Sequence, residues 1–184
     1  FESLERITDE TGRSLGVNPA GVSYCSGGSE GLHAGIWGIM SRDRKIRGVT
    51  TAIEHGAVLN AFTNLFPDRT TMLPVNEEGK VDLEELKKVV SKKPSLFVYS
   101  PVNHETGGLQ DIKEIFGVCK RSGAVIFIDG VQAAARLPYE DWVPYCDMFT
   151  LSGHKICGPK GTGLLWANPE ISLAPFRYGG SPEQ

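Results

Sequence analysis

A lysine stands directly after a histidine in "SGHKICGPKGTG", Ser152 to Gly163, with glycines closing the segment and an apolar run beyond it. An amine in such a turn could hold a phosphate as a point charge, or it could anchor a carbonyl-bearing group covalently. The phosphate-loop reading fails on register. Gly153 to Gly158 has the spacing that opens GxxxxGK[ST], but Pro159 takes the lysine position and removes an N–H, and Lys160 comes one residue late. Gly158 to Gly163 is not a GxGxxG either, and a strand-like run follows it in place of a helix.

Other chemistry-bearing residues also follow short apolar runs. They are Ser26-Gly27-Gly28-Ser29, Glu54-His55, Asn103-His104-Glu105-Thr106-Gly107, Asp129 with Gln132, and Ser152 with His154 and Lys155. Ligands of open α/β sheets bind beyond the carboxyl ends of the strands, so these groups would gather at one edge. Singly, each has a plainer role: a capped turn, a histidine cap at a helix start, an aspartate turn former, a solvated lysine. The four histidines lack HxH or HxxxH spacing, which argues against a metal site. Together the groups meet the needs of pyridoxal 5'-phosphate (PLP). Lys155 offers the Schiff-base amine and Asp129 a carboxylate against the pyridine nitrogen. Backbone N–H groups of Gly28 and Ser29, with the hydroxyls of Ser29 and Ser152, suit the phosphate, and His55 can stack on the ring.

The elements that must position these groups alternate between strand and helix. Apolar runs fall at 22–25, 47–52, 71–75, 96–100, 124–129, 148–151 and 163–167. In "DIKEIFGVCKRSG", Ile112, Ile115, Phe116 and Cys119 share a helix face, Asp111 and Glu114 form an N-terminal capping signature, and Gly123 closes the helix. In "VDLEELKKVV", Asp82 is the expected cap and Leu83, Leu86 and Val90 the apolar face. "SEGLHAGIWGIM" repeats through Leu32, Ile36, Ile39 and Met40. The pattern predicts one α/β domain over 1–184, a mostly parallel sheet with helices on both faces. Only about eleven residues separate Leu151 from Gly163, too few for a comfortable helical crossover, so the last strand is expected to run antiparallel.

Composition narrows the classes further. The 184 residues are 40% hydrophobic with a formal charge of −3 and no basic block, which argues against a nucleic-acid partner. No apolar run approaches the roughly 20 residues of a membrane span, and no signal-peptide pattern opens the chain. The four cysteines are scattered without a CxxC pair, the usage expected of reduced thiols in the cytoplasm. Cys119 is expected in the core. The chain lacks an initiator methionine and begins within a helical pattern, as an excised or processed piece would.

The set "SGGSEG" (26–31), "EH" (54–55), "VNHETG" (102–107), "DGVQ" (129–132) and "SGHKICGPKGTG" (152–163) resembles, in order and spacing, the NifS-like cysteine desulfurases, within the class V aminotransferase family of PLP-dependent enzymes. The resemblance runs from Cys25 to Gly180. It implies the large domain of the aspartate aminotransferase-like fold (fold type I), with a seven-stranded sheet and one antiparallel strand. By position it implies that Lys155 is the Schiff-base lysine, Asp129 the pyridinium partner and Gln132 a donor to the phenolate oxygen. His55 would stack on the ring and take part in proton transfer, and Gly28, Ser29, Ser152 and His154 would cradle the phosphate.

His104 stands where the family usually has asparagine, near the phenolate oxygen and the substrate; an imidazole there is bulkier and can titrate. The implied reaction converts L-cysteine to L-alanine and an enzyme-bound persulfide for iron–sulfur cluster assembly or other sulfur transfer. A homodimer of the full-length parent and a sulfur-acceptor protein are implied as well. In that family a small domain beyond Gln184 supplies a mobile nucleophilic cysteine and a carboxylate-binding arginine, so this chain is expected to be inactive alone. Cys157 is expected to pack within a rigid turn and not to accept sulfur. Rival readings are a selenocysteine lyase, a class V aminotransferase, or a non-catalytic module, the last opposed by the presence of both Lys155 and Asp129.

Overall fold

A computed structural model describes residues 2–177 of the chain; Gly179 and Gly180, at the end of the family-like stretch, lie outside the described residues. In chain order the elements are α1 (Glu2–Leu15), β1 (Val22–Cys25), α2 (Gly28–Met40), β2 (Arg47–Thr51), α3 (Gly56–Leu65), β3 (Thr70–Leu73), α4 (Leu83–Val90), β4 (Ser95–Tyr99), α5 (Ile112–Ser122), β5 (Val125–Asp129), β6 (Met148–Ser152) and β7 (Gly163–Ala167). The strands form one sheet in the order β1-β7-β6-β5-β4-β2-β3. From β6 to β3 every pairing is parallel, whereas β7 runs antiparallel to both β6 and β1. The short β6–β7 connection thus has the consequence expected from its length.

β4 shows how two layers of helices arise. All five of its residues are buried, as in a strand covered on both faces. With side chains alternating across the pleat, Leu96 and Val98 join Leu32, Ile36 and Phe62 of α2 and α3. Phe97 and Tyr99 face the opposite layer, with Leu86 of α4 and Ile115 of α5. Cys119 lies fully in this second layer, as expected. Deleting one of these fully buried side chains to alanine costs about 2–5 kcal/mol.

The ends of the helices follow local chemistry. Asp82 accepts from the Glu84 and Glu85 amides and caps α4. Gly123 ends α5 at φ 70°, in the left-handed region that a glycine enters without a Cβ clash. Asp111 departs from expectation. It makes no side-chain cap on α5 and turns instead to the Lys80 ammonium, 3.2 Å away. Helix α1 buries only Gly12 and Leu15 and leaves Leu4 and Ile7 exposed.

Candidate functional site

The carboxyl ends of β1, β2, β4, β5 and β6 open on one side of the sheet, because β1 is parallel to β6 across the intervening β7. Gly163, the first residue of β7, pairs with Cys25 on one side and Ser152 on the other. A Cβ at Gly163 would stand 2.6 Å from the Gly27 Cα, so only glycine lets the β1 turn close over this strand. A Cβ at Gly28 would meet Val131 Cγ2 at 2.5 Å, so the start of α2 is pressed onto the loop after β5. Between these loops lies a cavity of about 500 Å³. All nine residues singled out from the sequence line it: Gly28, Ser29, His55, His104, Asp129, Gln132, Ser152, His154 and Lys155.

At the β1 side the first amides of α2 have no partner within the helix and carry the positive end of its dipole. The Glu30 carboxylate in this first turn also lines the cavity and is engaged by other donors. Its oxygens accept from the Ser26 N–H and hydroxyl at 2.7 and 2.6 Å and from Arg177 Nη2 at 2.7 Å. The Ser26 bonds hold its carboxyl below the usual range. Across β7, Lys155 ends a single helical turn, Gly153–Lys155, and is exposed, while Ser152 Oγ bonds to His154 Nδ1 at 2.9 Å.

Asp129 ends β5 and is 5% exposed. Its Oδ1 accepts from the Val131 N–H at 3.1 Å, and among the described residues its other oxygen has no donor. Burial pushes its carboxyl up, while the Val131 N–H and the neighbouring His55 and His104 pull it back. His55 caps α3 by accepting the Ala57 N–H at Nδ1, 3.1 Å. The plain and the functional readings therefore coexist, since capping leaves Nε2 and the ring face free for the cavity. His104 meets His55 edge to face, ring centroids 5.1 Å apart. Gln132 is half-buried on the same wall.

The residues fit PLP. A buried carboxylate with one unpartnered oxygen, a primary amine, helix-start amides and an imidazole face share a space of ligand size. The sequence reading missed Ser100 and Lys160, which also line the cavity, and gave Glu54 no role. Lys160 had only its place in a glycine-rich turn as a signal, and Ser100 its position directly after a strand. No cysteine of the chain lines the cavity. Cys157 corrects an expectation: it is exposed, not packed, and adopts φ 64° in the loop after Lys155.

Comparison with known proteins agrees with this geometry. Residues 2–183 match the aminotransferase class-V family. A cysteine desulfurase of Nostoc sp. is 34% identical over all of this chain and 46% of its own length. A probable mitochondrial cysteine desulfurase of Dictyostelium discoideum is 32% identical over 98% of this chain and 42% of its own. The solved structure of a NifS-like protein superposes with a TM-score of 0.90 at 28% identity, covering 97% of this chain and 51% of that one. The chain spans about half the length of the proteins it matches. With a seven-stranded, mostly parallel sheet of the fold type I large domain, and a sequence matched along nearly its whole length, the chain belongs to the aminotransferase class-V family of PLP-dependent enzymes.

Proposed function

We propose that this chain is the cofactor-binding part of a cysteine desulfurase, which takes the sulfur of L-cysteine and releases L-alanine. The observation that carries this reading is the meeting of Lys155, Asp129 and His55 in one cavity, from the ends of three different strands. Gly28 and Ser29 amides, the Ser29 and Ser152 hydroxyls and His154 would hold the phosphate of PLP. His55 would cover the ring, Asp129 would meet its nitrogen, Gln132 and His104 would lie near its phenolate oxygen, and Lys155 would bind its carbonyl carbon. When bound, PLP supplies an electron sink that lets the amino-acid Cα lose a proton.

The protein's own groups do the rest. Lys155, on an exposed turn, takes the Cα proton and returns one as alanine forms. Asp129, whose carboxyl burial pushes up, would be kept ionised by pairing with a cationic ring nitrogen of the bound cofactor. Because His55 Nδ1 accepts the Ala57 N–H, the neutral ring carries its proton on Nε2, the atom left to donate toward a leaving group. The sulfur passes from the substrate to a thiolate, giving a persulfide and alanine. That thiol comes from outside the cavity lining.

Borohydride reduction of the PLP-treated protein, followed by peptide mapping, should place the pyridoxyl label on Lys155. A label on another lysine overturns the assignment. With L-cysteine and a reductant, a full-length protein carrying this chain should form alanine and sulfide in equal amounts. Selective release from selenocysteine, or amino transfer without sulfide, would point to the rival activities.

A further inference from the structure

Glu54 is 5% exposed, stands directly before His55 and does not line the cavity. Its Oε1 accepts from the Thr51 hydroxyl at 2.6 Å, at the end of β2. Its Oε2 accepts from the Ser100 N–H at 2.9 Å, just past the end of β4. The Ser100 hydroxyl donates to Val102 O at 2.8 Å and reaches Asp129 O at 3.2 Å. Next along the chain, Asn103 Nδ2 donates back to Ile53 O at 2.9 Å, while its Oδ1 accepts from the Glu105 and Thr106 amides. Thr51, Glu54, Ser100, Asn103 and Asp129 are all buried. One polar chain therefore runs behind the cavity wall, through the residues that immediately precede His55 and His104 and through the backbone of Asp129.

We propose that Glu54 is a positioning residue of this pocket: its carboxyl clamps the turn bearing His55 to the strand end that leads to His104 and adjoins Asp129. The proposal rests on reading the cavity as the cofactor site. A buried carboxyl is a costly brace, and an apolar side chain would fill the space more cheaply but leave the Ser100 N–H unpaired and the two strand ends uncoupled. The charge state suits the role. Burial pushes Glu54 up to about 8, the charge of Asp129 adds to this, and the Thr51 and Ser100 donors oppose it. The ionisable groups facing it are Asp129 on β5 and Tyr99 on β4, and Asp129 in turn faces His55 and His104. Glu54 thus holds a proton to higher pH than an ordinary glutamate, which eases the burden of a second negative charge beside Asp129. Above about pH 8 it ionises there.

Three variants of a full-length protein carrying this chain test the role. Glu54→Gln keeps the size and can hold both partners, its oxygen accepting the Ser100 N–H and its NH2 donating to the Thr51 hydroxyl, but cannot ionise; Glu54→Leu deletes both bonds, and Thr51→Val deletes one. The readouts are the imidazole signals of His55 and His104 in NMR spectra of the PLP-free protein, and the Kd for PLP from about pH 6 to about pH 10. Glu54→Leu should displace both imidazole signals and weaken PLP about tenfold while the circular dichroism stays that of the wild type. Glu54→Gln should bind PLP within about threefold of wild type at neutral pH and lose the inflection near pH 8. Unmoved imidazoles in Glu54→Leu overturn the proposal; if that variant does not fold, unmoved imidazoles in Thr51→Val do so. Displaced imidazoles, in a protein whose wild type does not bind PLP, support the brace and instead refute the cofactor reading.

Discussion

The two walls of the cavity that carry its charged groups are built in opposite ways. At the ends of β2, β4 and β5 the residues Thr51, Glu54, Ser100, Asn103 and Asp129 are buried and cross-linked, a braced backing for the exposed His55 and His104. The wall between β6 and β7 is exposed from His154 to Cys157. It is held at its base by short local bonds: Gly153 receives the Gly158 N–H and donates to Thr162 O, each at 2.8 Å, and the Thr162 hydroxyl donates to Pro159 O at 2.8 Å. The difference matches the tasks. A carboxylate that must hold a charge works best at a fixed distance in a dry setting. An amine that must take and return protons has to reach more than one atom, and an exposed turn with few buried contacts gives it that freedom.

Substitutions on the two walls should separate these properties. Lys155→Ala should abolish the borohydride-fixed label and all turnover, yet leave the melting temperature of the PLP-free protein within about 2 °C, as expected of an exposed side chain. A large loss of stability would break the contrast between the walls. Asp129→Asn should lower turnover by at least about 100-fold, because a neutral amide cannot keep the ring nitrogen protonated, while its oxygen still accepts the Val131 N–H.

The same change has a pH signature without cofactor. Burial raises the Asp129 carboxyl in the folded state, so as pH climbs from its ordinary value the unfolded chain releases its proton first and stability falls. The asparagine variant should lose that decline, and a thermal melt series in pH measures it. A variant whose stability follows the same pH course as the wild type over this window would contradict the buried, partly unpartnered carboxylate.

Smaller effects should follow on the rest of the site. His55→Ala removes both a ring face and the α3 cap, so PLP should bind about tenfold more weakly, with about 1 kcal/mol of stability lost. Fluorescence titration and urea unfolding read the two losses separately. Cys157→Ala should change sulfide release by less than about twofold, since the residue is exposed and off the cavity. A strong loss would make Cys157 a sulfur carrier.

What the sequence made legible was local or periodic. The seven strands, the antiparallel last one, the Asp82 cap and the Gly123 terminus each follow from a few neighbouring residues, and all are present. The gathering of the nine cavity residues followed from a single rule about strand ends. Long-range partners were not legible. Asp111 has the spacing of a cap, but Lys80, 31 residues earlier, competes for it, and nothing local announces that encounter. Glu54 was visible only as the neighbour of His55, because its partner Ser100 lies 46 residues on. The exposure of Cys157 was hidden for another reason: a glycine-rich turn gives no periodicity from which to tell inside from outside.

The strand order also acts as a scale. β6, β5, β4 and β2 lie side by side and parallel, and they lead respectively to Lys155, Asp129, His104 and His55. Adjacent strands sit about 4.8 Å apart, so these four anchors are dealt out in equal steps that span about 14 Å. On the other side, β7 inserted between β6 and β1 sets the start of α2 two steps away, about 10 Å. The transverse spacing of the anchors is thus fixed by backbone hydrogen bonds and is insensitive to which side chains fill the core. Room for a longer or bulkier substrate has to be found in the loops above the sheet, where His104 and the Lys155 turn project, and not in the pitch of the strands beneath.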